Sequence, residues 1–421
     1  MKFRTTGSPS RLLGLNSTSD AMQLKRLIAQ PHLTYCTNIH AGESWDEVSQ
    51  SLDAFVPAIR DAVADGAPMG IGLRLSGQAA FSLQQHIVLQ AFQAQLQRLN
   101  AYVFTLNAFP YGTFHGVPVK QDVYAPDWTQ PERLRYTLAC IDILAALLPE
   151  GVEGSISTVP VGFRHAADTT EAMNAVVSHL LQCVAHLVHT QAQTGKHIAL
   201  ALEPEPACYV ETTQEAAQFI LTHVRSTSAV AQLAQMLGGS AEQALLALRS
   251  HLGVCFDVCH SAVEFEDPAI ALHELRQAGI AIPKIQLSSA VRIPQMTMSQ
   301  LPTVQGFDDA VYLHQVVVQQ AGQLQRFVDL PQALAAFQAG QAEGEWRVHC
   351  HVPVFLQDAG AISTTQAQLL QTLEACKREG FSSHLEVETY TWDVLPDALK
   401  TDSKAQAIAR ELDFVKKVLL A

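Results

Sequence analysis

The sequence predicts an α/β protein built as one (β/α)8 barrel, and three observations predict it. Short apolar runs alternate with longer amphipathic ones eight times over. Hydrophobic residues make up 48% of the 421-residue chain and charged residues only 16%, which supplies one large core and argues against wholesale disorder. No Gly-x-Gly-x-x-Gly turn follows any apolar run, so a doubly wound dinucleotide fold loses its main support.

In chain order the expected strands are 33–40, 70–76, 102–109, 155–162, 198–204, 253–260, 284–289 and 384–390. The expected helices are 44–64, 79–99, 130–148, 168–194, 211–236, 240–251, 267–278 and 363–379; many are rich in Ala, Leu and Gln and poor in β-branched residues, which favours helix. A ninth strand-like run, 345–355, exceeds the barrel count. It follows the stretch 293–344, expected as an insertion after strand seven. The expected layout is an N-terminal extension over 1–30, a barrel over 31–400 carrying that insertion, and a C-terminal helix over 401–421.

The formal charge of −13, with no long Lys/Arg cluster, excludes a general nucleic-acid-binding surface. Eight scattered cysteines include no Cys-x-x-Cys pair, as expected of reduced, buried thiols in a cytoplasmic protein. The first residues lack the apolar run of a secretory signal, and no segment holds 18 consecutive apolar residues, so no transmembrane segment is expected.

Side chains alternate faces along a strand, and the later strands share one pattern. Ile198, Leu200 and Leu202 oppose Ala199, Ala201 and Glu203; Val254, Phe256 and Val258 oppose Gly253, Cys255 and Asp257. Ile285 and Leu287 oppose Lys284, Gln286 and Ser288; Leu385 and Val387 oppose His384, Glu386 and Glu388. Bulky residues suit the helix side, and the smaller or polar ones suit the barrel axis. Glu203, Asp257, Gln286 and Glu388 thereby offer ligand atoms at the strand ends where barrels do chemistry. Carboxylates crowded into one mouth repel, and a divalent cation is the simplest compensation. Singly, each could instead cap a strand.

His260 follows Asp257 closely enough to complete a mixed oxygen and nitrogen site. His349 and His351, two apart, share a face if extended and can offer two imidazoles to one metal; two buried histidines with backbone partners are the alternative. His40, Asn107, Tyr111 and His115 fall at the rim, with polar or aromatic side chains suited to binding a polyhydroxylated substrate. Arg74, inward on the second strand, needs an acid partner or a ligand anion. No Ser/His/Asp nucleophile motif and no phosphate-cradling Gly-Lys-Ser/Thr loop is present.

These strand ends resemble those of the xylose isomerase-like barrels, the superfamily that also holds endonuclease IV. LEPEP (202–206) resembles the Glu-Pro-Lys-Pro end of the sugar isomerases, and FDVCH (256–260) the Asp-x-x-His end. IQLSSAVR (285–292) is similar to strand seven, with Arg292 matching a substrate-holding Arg and Gln286 standing where a metal-binding His is usual. HCHVPVF (349–355) resembles the endonuclease IV segment that binds a third metal, with His349 replacing an Asp. Longer strings, LTYCTNIHAGESW, NAFPYGTFHG, VYAPDW, GSISTVP and LEVETYTWDVLP, resemble the EboE family of metabolite traffic proteins. That resemblance implies a small-molecule metabolite and partner proteins of the same metabolite-traffic cluster. The superfamily likeness implies isomerase or epimerase chemistry on a sugar-like or hydroxycarbonyl compound. Glu203, Asp257 and Glu388 would hold the metal, Glu203 or Glu388 would take the proton alpha to the carbonyl, and the metal would stabilise the enediolate. Gln286 favours Mg or Mn; His260, His349 and His351 favour zinc and hydrolysis. Binding or delivery without turnover is the third possibility.

Overall fold

A computed structural model describes residues 22–421 apart from 361 and 401; most of the expected 1–30 extension lies outside the described residues. Eight parallel strands make the barrel: β1 (His32–Tyr35), β2 (Met69–Arg74), β3 (Ala101–Asn107), β4 (Gly154–Thr158), β5 (Ile198–Leu202), β6 (Leu252–Asp257), β7 (Ala281–Leu287) and a last strand, His384–Val387. Their spatial order follows the chain from β2 to β7, then the last strand, then β1. The ring closes through a parallel bridge between Cys36 and Gly72. Thr34 reinforces that seam: its Oγ1 donates to Gly70 O at 2.8 Å and accepts from Gly72 N at 3.0 Å. A Cβ on Gly72 would stand 1.7 Å from Glu386 Oε1, so only glycine leaves room for that inward carboxylate.

Helices cover the outside. Capping boxes start four of them, at Ser44/Glu47, Thr212/Glu215, Ser240/Gln243 and Ser403/Gln406, and such caps contribute on the order of 1 kcal/mol each. Two expected helices are broken. The 79–99 stretch forms Gly77–Leu83 and His86–Leu99, and 211–236 forms Thr213–Phe219, a π turn over Ile220–Val224, and Thr227–Leu237. The second break has a clear cause: the Ser226 side chain accepts from Ala229 N and starts a new helix. No helix among the described residues is long and apolar enough to cross a membrane.

Between β7 and the last barrel strand the chain builds a second, antiparallel sheet. Its strands are β8 (Ser289–Ile293), β9 (Val316–Gln320), β10 (Gln323–Phe327), β11 (Glu345–Val352), β12 (Asp358–Ala359) and β13 (Ile362–Thr364), so the last barrel strand is β14. The spatial order is β10-β9-β11-β8-β13-β12. This excursion begins earlier and ends later than the 293–344 span expected, because β8 pairs with β11 as soon as the chain leaves β7.

The strand expected over 253–260 stops at Asp257. Its carboxylate turns the chain: Oδ1 accepts from Cys259 N at 2.6 Å and His260 N at 3.0 Å, capping a short helix over Val258–Val263. Val258 is therefore helical rather than part of the alternating strand pattern.

Candidate metal centre

Glu203, Asp257 and Glu388 meet at the barrel mouth, each offering an oxygen within 4.8 Å of the others, and all three are buried. Glu203 extends β5, its N–H donating to Thr158 O at 3.0 Å; Glu388 extends β14, its N–H donating to Leu287 O at 3.1 Å. Asp257 spends Oδ1 on its helix cap, and Oδ2 is left buried without a hydrogen-bond partner, 4.0 Å from His260 Nε2. Glu203 Oε2 is also buried without one. Glu388 Oε1 accepts from Asn38 Nδ2 at 2.7 Å and Asn107 Nδ2 at 3.0 Å.

Burial raises the proton affinity of all three carboxyl groups, and neighbouring carboxylates add to the rise at Glu203 and Glu388. Two buried oxygens without hydrogen-bond partners among three converging carboxylates fit a divalent cation.

A nitrogen set adjoins it. His260 Nδ1 pairs with Pro204 O at 2.9 Å, and His351 Nδ1 with Glu388 O at 2.9 Å. His349 Nδ1 pairs with Gln315 Oε1 at 2.7 Å. Gln315 Nε2 donates to Pro206 O at 3.0 Å, so its oxygen is the accepting atom facing His349. Each Nδ1 therefore carries the proton and each Nε2 keeps its lone pair, the arrangement that outer partners impose on metal-binding imidazoles. The Nε2 atoms of His349 and His351 are 3.0 Å apart. Burial lowers His260 to about 3 and His351 to about 4, and holds His349 well below its ordinary value, so all three are neutral near pH 7. Asp257, His260 and His351 form one ligand-spaced group, and Glu205, His260 and His349 another. Asp257 thus belongs to both the oxygen set and the nitrogen set.

The cavity above these groups encloses about 500 Å³ of atom-free space, open solvent at its mouth included. Of the expected substrate-binding residues, Asn107 lines it. His40 does not: it stacks on Phe55 with centroids 4.1 Å apart and shares a hydrogen bond with Tyr35 OH at 3.1 Å, because its side chain packs under the first helix. Tyr111 packs edge-on against Tyr136, away from the cavity. His115 has both ring nitrogens occupied, by Asn38 O at 2.6 Å and Tyr312 OH at 2.8 Å, so it props the wall rather than facing a ligand. Arg292 lies in β8 and forks onto Glu345 at 2.8 and 2.9 Å; the second sheet has carried it off the barrel mouth. Gln286 stays inside the barrel, outside the cavity lining, with its Oε1 accepting from Cys255 Sγ at 3.2 Å. Arg74 finds its acid partner in Glu43 at 3.0 Å.

Several cavity residues escaped sequence reasoning. Asn38 and Glu205 stand in quoted strings just past the ends of β1 and β5, and Tyr312 lies in the excursion, which has no period to read; Gln315, also in the excursion, holds Tyr124 and Glu205 from outside the lining.

No protein-family model matches the chain, and no curated protein matches it. Solved structures do. They include an L-ribulose 3-epimerase, 12% identical over 92% of this chain and 94% of its own, with a TM-score of 0.46. A 3-keto-D-glucoside 4-epimerase from E. coli is 13% identical over 91% of this chain and 98% of its own, with a TM-score of 0.42. An IolI protein with a bound zinc atom is 13% identical over 92% and 97%, with a TM-score of 0.44. The barrel assignment itself stands on the closed strand order above.

Proposed function

We propose that this barrel is a divalent-metal-dependent enzyme of isomerase or epimerase type, acting on a small sugar-like or hydroxycarbonyl metabolite within an EboE-like metabolite traffic or maturation role. The observation that carries the reading is the convergence of Glu203, Asp257 and Glu388, with two buried oxygens lacking partners. These carboxylates suit Mg or Mn, and the three histidines with Asp257 suit zinc. A bound cation supplies polarisation of a carbonyl oxygen. Glu203 and Glu388 are the bases at hand, since burial makes each carboxylate more basic than usual. Asn38 and Asn107 fix the orientation of Glu388. The EboE role is supported by the sequence strings alone.

A metal-dependent hydrolase is the second reading. The shared position of Asp257 between oxygen and nitrogen sets favours it, as a carboxylate placed between two cations would be. The charge of −13 disfavours nucleic acid as its substrate.

The test is α-proton exchange in D2O, followed by NMR, on a panel of 2-hydroxyketones with metal-loaded protein. Exchange that disappears in Glu203→Gln supports the isomerase reading. Metal-loaded protein that exchanges none of them, yet cleaves ester or phosphodiester probes, favours the hydrolase.

A further inference from the structure

We infer that the ligand of this cavity carries its oxygens at one end and a planar, unsaturated body at the other: an aryl or conjugated 2-hydroxycarbonyl compound rather than a free sugar. This deepens the proposed function and rests on its reading of the cavity floor as a metal centre.

The cavity joins polar groups to aromatic ones, and Tyr390 reaches down to His351 with ring centroids 4.6 Å apart. Its floor is made of carboxylates, amides and imidazoles, among them Glu203, Glu388, Asn38 and His260. Its walls are Phe109, Pro110, Phe114, Tyr312, Leu313 and Tyr390. Phe114, Tyr312 and Tyr390 form a mutual ring cluster with centroids 5.2–5.3 Å apart, and Phe109 lies 5.9 Å from Tyr124.

Of the polar groups along the walls, Tyr312, Tyr124 and Lys120 already have protein partners. Tyr312 OH is bonded to His115 Nδ1 at 2.8 Å. Tyr124 OH donates to Glu205 Oε1 at 2.7 Å and accepts from Gln315 Nε2 at 2.8 Å. Lys120 Nζ is bonded to Asp309 O at 3.0 Å and Asp329 Oδ2 at 2.8 Å. A sugar can lay its C–H face on such rings, but its outer hydroxyls would lose water and find few partners among groups already bonded to protein. A flat unsaturated body loses no hydrogen bonds there and gains ring contacts. The floor still supplies partners for two adjacent oxygens.

The experiment compares two probes that share one O–C–C=O unit: 2-hydroxyacetophenone, which carries a phenyl ring, and dihydroxyacetone, which does not. Each is titrated calorimetrically into metal-loaded full-length protein, wild type and Phe114→Leu, with metal content and thermal melts measured on the same samples. The expected result is binding of the aryl probe at least about tenfold tighter to wild type, with that preference cut severalfold in Phe114→Leu and dihydroxyacetone affinity unchanged. Equal affinities, tighter binding of dihydroxyacetone, or no binding of either probe by metal-containing protein overturns the inference. Protein that retains no metal overturns the reading on which it rests.

Discussion

Lys284 Nζ and Glu386 Oε2 lie 2.5 Å apart inside the barrel, with both side chains fully buried. Glu386 is one inward-facing position deeper than Glu388, and Lys284 is the cation that balances it. Burial alone would lower the Lys284 pKa, but the adjoining Glu386 charge prevails and raises it. Removing one partner of such a pair leaves a bare charge in a low-dielectric interior, at a typical cost of about 3–5 kcal/mol. Lys284→Met is therefore expected to destabilise the fold by about that much in urea unfolding. The double variant Lys284→Met/Glu386→Leu is expected to recover most of the loss. A single variant as stable as wild type would contradict the assignment.

Glu388→Gln should have opposite effects with and without metal. Without it, the substitution removes one of three crowded carboxylates and keeps an acceptor for Asn38 and Asn107. The metal-free variant is expected to be more stable than metal-free wild type at pH 8 by about 1–2 kcal/mol. Adding Mn, which suits the carboxylate set, should raise the melting temperature of wild type and leave the variant nearly unmoved. Melts in EDTA and in excess metal check both halves.

Glu411 gives a pH signature from outside the cavity lining. Burial pushes its carboxyl up to about 7, while its side chain accepts from Thr389 Oγ1 and Val354 N. A folded-state pKa above the unfolded value means stability is highest below the unfolded pKa and falls as pH rises through the folded one. Glu411→Gln escapes that loss. The variant's relative stability should rise between about pH 4.5 and pH 7, reach roughly 3 kcal/mol, and stay level above about pH 8. Urea midpoints across that range decide it; a constant difference would contradict the shift.

Arg292 should matter little to the cavity. Its guanidinium is spent on Glu345, and its side chain is 36% exposed. Arg292→Ala is expected to cost under about 1 kcal/mol and to leave metal content and probe affinity unchanged. A loss of probe affinity without loss of stability would restore it to the substrate site.

Much of the barrel was legible because its strands follow period two and its helices are rich in Ala, Leu and Gln. Every expected barrel strand overlaps an observed one, and the inward set Glu203, Asp257 and Glu388 follows from alternation alone. His349 and His351 share a face of β11, as their spacing implied. What alternation could not show is where the second sheet carries a residue. Arg292 is six residues beyond Gln286, but pairing of β8 with β11 takes it to another layer. Nearness to a strand end, the ground for expecting His40 and Tyr111 at the cavity, fixes a Cα and not the direction of a side chain. Asn38 and Glu205 reach the cavity from turns just past β1 and β5, and Tyr312 from the excursion, where no strand period applies.

Asp257 offers the most direct test, because it belongs both to the carboxylate group with Glu203 and Glu388 and to the group with His260 and His351. The measurement is metal content by elemental analysis after equilibrium dialysis against zinc and manganese, for wild type and Asp257→Asn, with circular dichroism to confirm the fold. The asparagine keeps the helix cap through its side-chain oxygen. Wild type is expected to retain at least one equivalent of metal and a folded Asp257→Asn almost none. A metal-free wild type, or a variant that holds as much metal as wild type, would contradict the account.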